Sequence, residues 1–216
     1  WLRPAAFLLG RRFGMAWRDP RIGRDRVEHA LLLTGTLQAP REAHGGTLHR
    51  VAKEHVQSAI ARARPAFTEA LDGPYFLIVG QYYATLRQMS RSEELGRYAA
   101  AAEEATRRGF TPVWRGHIRN DDRYYDELKQ RCPSLRNFSE LVDDPSYPLE
   151  LYDSLFDARC AGAASFSSSA LFYLRELYGV ATYTLLDAGM VQRMNYPHRD
   201  GCGLALSQLP HLLPAA

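Results

Sequence analysis

The stretch "AASFSSSALFYLRELYGV" (163–180) places Ser165, Ser167, Ser168 and Ser169 between a run of small residues and an amphipathic helix. A helix start offers unpaired N–H donors and a partial positive charge, and hydroxyls add short rotatable donors without bulk. Ser167, Ser168 and Ser169 together therefore have the chemistry of a phosphate cradle. Gly162 and the alanines before them leave room for close approach of a ligand. A simple N-cap needs only one serine, so two readings stand: the run caps a helix, or an anion rests on it.

Two further places carry chemistry. In "VWRGHIRN", Arg115, His117 and Arg119 alternate with Gly116 and Ile118. In an extended segment those three side chains point the same way. Two guanidiniums beside an imidazole suit a phosphate or carboxylate, and the imidazole could donate a proton to a leaving phosphate. The bland alternative is a solvent-exposed edge with an incidental histidine. In "YPLELYD", Glu150 opens a helix-like run. It either decorates the helix dipole or accepts two hydrogen bonds from a ribose diol.

The elements that must position these residues read as alternating strands and helices. "YFLIVG" (75–80), "FTPVWRG" (110–116), "SLRNFS", "ARCAGAAS" and "VATYTLL" are short apolar runs of strand type. A helix capped by Ser92, with Glu93 and Glu94 in its first turn, is expected to run to Gly109. "DDRYYDELKQRC", opened by Asp121 or Asp122, gives a second helix. "YPLELYDSLFD", with Pro148 in its first turn, gives a third. "SSALFYLRELYG", stopped by Gly179, gives a fourth. Upstream, "ALLLTGTL" is a candidate strand. "GTLHRVAKEHVQSAIARA" is a candidate helix with Val51, His55 and Ile60 on one side, and Asp72-Gly73-Pro74 is a turn. The tail "SQLPHLLPAA" reads as disordered or as an end that crosses between domains. The fold expected is α/β: a Rossmann-like, mostly parallel sheet with helices on both faces. Ligands in such sheets sit beyond the C-terminal ends of the strands.

Composition limits the partners. The 216 residues carry a net charge of +3, too balanced for a dedicated nucleic-acid binder. Cys132, Cys160 and Cys202 form no CxxC and no ligand-spaced cluster, which fits a reduced, cytoplasmic setting. No apolar run approaches the roughly 20 residues of a membrane span. Asp121-Asp122 and Asp143-Asp144 read as helix-start and turn acids rather than metal ligands.

The order "GHIR", "PLE", "SFSSSAL", preceded by "LIVGQYYATL" and "SEELGRYAAAAEEATRRGFTPVWRGH", resembles the C-terminal half of bacterial sialyltransferases over roughly residues 75–185. The closest resemblance is to the capsular polysialyltransferases and their lipooligosaccharide-modifying relatives. The resemblance implies the C-terminal domain of a GT-B glycosyltransferase that takes CMP-sialic acid, inverts at the anomeric carbon, needs no metal or other cofactor and builds surface polysaccharide on a glycan acceptor. It implies a cytoplasmic protein, peripheral at the inner membrane. His117 then matches the histidine of a His-Pro motif that contacts the donor phosphate, Ser168 and Ser169 with Ser167 match the paired phosphate-binding serines, and Glu150 matches the acid that holds the cytidine ribose. Arg119 takes the place of an arginine that follows the histidine, and Arg115 that of a lysine two positions before it. Ile118 stands where the family has proline, which leaves a freer strand end. The family's base is an acid in an acid-acid-Gly motif of the N-terminal domain; Leu71-Asp72-Gly73 breaks that pair and reads as a turn. On this reading residues 1–70 are a remnant of an N-terminal domain and linker, 71–190 bind the CMP-sugar, and 191–216 form a C-terminal tail. The chain is then expected to be a fragment without its general base, able to bind donor without transferring. Two alternatives remain from the residues alone. One is another GT-B enzyme using a nucleotide-diphosphate sugar. The other is a non-catalytic nucleotide- or polyanion-binding protein whose arginine-rich first 30 residues meet an anionic surface.

Overall fold

The computed structural model describes residues 29–32, 47–50, 52–62, 71, 73–121, 123–195 and 198–212. The arginine-rich first 28 residues, Asp72 and Asp122 lie outside them, so the readings made on those positions have no structural counterpart here.

Two short strands, β1 (His29–Leu32) and β2 (Thr47–Arg50), pair in parallel, and α1 (Lys53–Arg62) follows. The helix expected from residue 46 onward therefore begins as a strand. Of its expected apolar side, Ile60 is buried and His55 is exposed. Next come β3 (Tyr75–Val79), α2 (Arg91–Arg107), β4 (Thr111–Arg115), α3 (Arg123–Arg131), β5 (Arg136–Asn137), β6 (Cys160–Ser165), α4 (Ser169–Tyr178) and β7 (Thr182–Thr184). Two terminal helices, α5 (Ala188–Arg193) and α6 (His198–Gln208), close the chain.

The strands β3 to β7 form one sheet in the order β5-β4-β3-β6-β7, and every pairing in it is parallel. The chain builds outward from β3 through β4 to β5, then returns to lay β6 on the other side of β3. Right-handed crossovers in opposite directions put α2 and α4 on opposite faces. All five residues of β3 are buried, as a central parallel strand covered on both faces requires. Phe76 fills the space above Gly162, where a Cβ would come within 2.7 Å of its ring. On the α2 side, Tyr98 packs edge-on against Trp114 (4.7 Å) and Phe166 (4.9 Å), while Trp114 stacks on Tyr124 (5.7 Å, 5°).

Three further expectations change. The cap of α2 is Ser90, whose Oγ accepts the Glu93 N–H, so the helix starts before Ser92. The third helix does not form. Residues Leu149–Leu151 and Asp153–Leu155 are separate 3-10 turns because Tyr152, at φ −89° and ψ 58°, leaves the helical region between them. Of the tail expected to be disordered or to cross between domains, residues 207–212 pack onto this sheet. Thr184 N–H donates to the Pro210 carbonyl (2.9 Å), Leu212 N–H to the Thr184 carbonyl (3.1 Å), and Leu209 and Leu212 are buried. Gly109 (φ 84°) and Gly179 (φ 71°) end α2 and α4 in the left-handed conformation that glycine adopts without strain. No helix among the described residues is long and apolar enough to cross a membrane.

Candidate functional site

The strand order makes the gap between β3 and β6 the point where the chain's direction of travel across the sheet reverses, the usual ligand crevice of an open parallel sheet. Val79 is level with Arg115, Ile78 with Ala164, and Ser165 with Thr184, so the exits of β4, β3, β6 and β7 line up along one edge. The loops holding His117 and the serine run leave this same edge from β4 and β6. Those strands flank β3, two strand spacings or about 10 Å apart.

The four serines divide by role. Ser165 is fully buried and its Oγ donates to the Val79 carbonyl (2.6 Å), sewing β6 to β3. Ser167 is buried and bonded to the Tyr83 hydroxyl, and the Cys202 thiol reaches it at 3.7 Å. Ser168 caps α4, accepting the Ala170 N–H (3.3 Å). Ser169, the first residue of α4, is only half-buried and its hydroxyl bonds no described residue. Capping thus uses one hydroxyl, two others bind neighbouring elements, and Ser169 stands at the mouth of the helix with a donor to spare.

His117 follows β4 on the loop opposite. Its Nδ1 accepts the Arg119 N–H (3.2 Å), which leaves the ring proton on Nε2. The ring packs on Tyr82 with centroids 4.3 Å apart. Burial, then the charges of Arg119 and Arg115, push the imidazole down to about 4, so it is neutral at physiological pH. Gly80 lets the backbone after β4 come close: a Cβ there would lie 2.8 Å from the Trp114 ring and 3.0 Å from the His117 backbone nitrogen.

The expected alternation of Arg115, His117 and Arg119 ends with the strand. Beyond Arg115 the backbone turns, and period-two alternation no longer applies. Arg119 folds over the Tyr82 ring at 4.8 Å. Arg115 reaches the Tyr147 carbonyl (3.1 Å) and covers the Phe138 ring at 5.1 Å. Burial lowers its guanidinium, and the charges of Tyr152 and Glu150 oppose that. Glu150 lies on the first 3-10 turn, and a turn this short has little dipole for it to complement. Burial raises its carboxyl, while its own N–H and the Arg115 charge lower it. The Glu150 carbonyl accepts the Tyr178 hydroxyl (2.6 Å), and the Glu150 charge acts on Tyr173, one helical turn beyond Ser169 on α4. The structure therefore links Glu150 to Arg115, and Arg115 to His117, through their fields.

Several residues at this edge escaped the sequence reading. Glu94, expected to serve the dipole of α2, is fully buried and accepts the N–H groups of Tyr83 and Ala84 (both 3.0 Å), fixing the loop after β3. Tyr82, Tyr83 and Cys202 also contact the site residues. Only the tyrosine pair in "GQYY", directly after a buried strand, hinted at them. The expected turn acids are engaged locally: Asp121 pairs with Arg91 (2.5 Å), and Asp144 accepts the Ser146 N–H (2.9 Å).

The alpha-2,8-polysialyltransferase (POLYST) family model matches residues 41–187, a span containing the whole five-stranded sheet, the serine run, His117 and Glu150. No curated protein matches the chain. With the match covering more than half of its 216 residues, the chain belongs to the alpha-2,8-polysialyltransferase family.

Proposed function

We propose that this glycosyltransferase chain binds CMP-sialic acid at the C-terminal edge of its parallel sheet, with the phosphate between the α4 mouth and His117 and the ribose toward Glu150. The family match supports a sialyltransferase-type enzyme with a nucleotide-sugar donor and a glycan acceptor. One observation carries the placement: an imidazole with a free Nε2–H leaves the same sheet edge as a helix start with a spare hydroxyl.

Breaking the anomeric C–O bond leaves cationic character on the sugar and negative charge on the departing phosphate. Donors already fixed around that phosphate stabilise the charge as it develops. Ser169 Oγ, the Ser169 N–H at the start of α4 and His117 Nε2–H are such donors. Ser168 sets the direction of the helix start through its cap, and Ser167, held from behind by Tyr83, sets the loop. In the ligand-free protein burial and the Arg119 and Arg115 charges keep the imidazole neutral at pH 7, so it meets an arriving phosphate as an Nε2–H donor. Arg115 and Arg119 add positive field, and Glu150 accepts hydrogen bonds from the ribose diol. CMP leaves with a single phosphate, so hydroxyls, N–H groups and imidazole meet its charge without a metal; inversion is completed only when a base that is not among these residues takes the proton of the acceptor hydroxyl as the new C–O bond forms. The acceptor is a surface polysaccharide, elongated at the inner face of the membrane.

The test is calorimetric titration with CMP and UDP, with and without a chelator. CMP binding that survives chelation and exceeds UDP binding supports the reading. Preference for UDP, or binding that needs a divalent ion, overturns it.

A further inference from the structure

The β4 exit must hold an imidazole still at the end of a strand. Residues 117–120 form a β-turn closed by the Asn120 N–H donating to the His117 carbonyl (2.8 Å). The second position of such a turn is where proline presets φ, yet Ile118 occupies it, 86% exposed. The restraint comes from the fourth position. Asn120 Oδ1 accepts the His117 N–H (2.7 Å), so residues 117 and 120 exchange two hydrogen bonds. Its Nδ2 donates to the Gln81 carbonyl (2.9 Å), tying the turn to the loop leaving β3. Gln81 is itself fixed, its N–H donating to the buried Tyr98 hydroxyl (2.7 Å).

We propose that Asn120 is the positioning residue for His117: its amide clamps the turn to the β3 loop, and the clamp aims Nε2–H into the crevice. The chain of support runs Tyr98, Gln81, Asn120, His117. It explains how the loop keeps one geometry with isoleucine at its second position. The idea rests on the assignment of His117 to the donor phosphate, but the clamp itself is visible without any ligand.

The experiment reads the side-chain nitrogens of selectively labelled histidine by NMR in the free protein, then titrates CMP. His117, assigned by its loss in His117→Gln, is expected to show the Nε2–H tautomer alone. Asn120→Ala is expected to give the mixed tautomers and near-ordinary titration of a mobile imidazole, with CMP binding about tenfold weaker or worse. Adding Ile118→Pro to that variant is expected to recover the single tautomer, since proline restrains the same turn by another route. Asn120→Asp keeps an oxygen for the His117 N–H but removes the donor to the Gln81 carbonyl, so it is expected to give mixed tautomers as well. It decides the matter if the alanine variant fails to fold. An Asn120→Ala protein that folds with His117 unchanged, or an aspartate variant that keeps the single tautomer, overturns the proposal. If the tautomers respond as expected while CMP affinity does not, the clamp stands and the phosphate assignment falls.

Discussion

Replacing His117 by glutamine should make the protein less sensitive to acid. The wild-type imidazole titrates near 4 in the folded state, pushed down by burial and by Arg119 and Arg115, against an ordinary value near 6.5 in the unfolded chain. Between those limits the unfolded state binds more protons, so stability rises with pH in that window and is lost as pH falls through it. The full separation corresponds to about 3 kcal/mol, and at pH 5 about 2 kcal/mol of it has been spent. Partial solvent access to the ring lowers both figures. Urea unfolding of wild type and His117→Gln at pH 7.5 and pH 5 isolates the contribution, because other titrating groups cancel in the difference. Wild type should lose about 1–2 kcal/mol more than the variant over that interval. Equal losses would refute the claim that His117 is held neutral, and with it the description of His117 as a neutral Nε2–H donor in the ligand-free protein.

Other predictions follow from the same edge. Ser168→Ala should cost about 1 kcal/mol of stability through loss of the α4 cap, whereas Ser169→Ala should leave urea unfolding unchanged and weaken CMP binding by about 1.5–3 kcal/mol. Gly80→Ala should destabilise by about 1–3 kcal/mol and lower CMP affinity, since its Cβ meets Trp114 at 2.8 Å and the His117 backbone nitrogen at 3.0 Å and shifts the turn; thermal unfolding and calorimetry check both parts. Glu150→Ala should abolish the preference for CMP over 2′-deoxy-CMP, measured by competitive binding. Tyr83→Phe should cost about 1–3 kcal/mol in urea unfolding by leaving the buried Ser167 hydroxyl short of a partner.

The sheet was legible because its strands are short apolar runs with glycine at the right ends. β3 reads as buried on both faces, and Gly109 and Gly179 mark the helix stops that the structure shows. The run at 147–157 misled because its apolar spacing suits a helix, and only the backbone at Tyr152 shows that it breaks into two turns. Within the site, residue types announced the phosphate chemistry, but the division of labour among the serines did not show. Which serine caps and which is tied inward depends on Tyr83 and on Cys202, which lies 35 residues beyond Ser167. Nothing within "VWRGHIRN" marks Asn120, because its partner Gln81 is 39 residues away and meets it only once β3 and β4 pair. Local signals specify elements, and contacts between loops at a sheet edge come only from the strand order.

The most direct measurement compares CMP with cytidine on wild type and on His117→Gln by calorimetry. The two ligands differ only by the phosphate, so the comparison isolates what the imidazole contributes to it. The substitution should weaken CMP binding by about 1.5–3 kcal/mol and leave cytidine binding unchanged. A loss that is equal for both ligands, or absent for CMP, would contradict a phosphate resting between His117 and the start of α4.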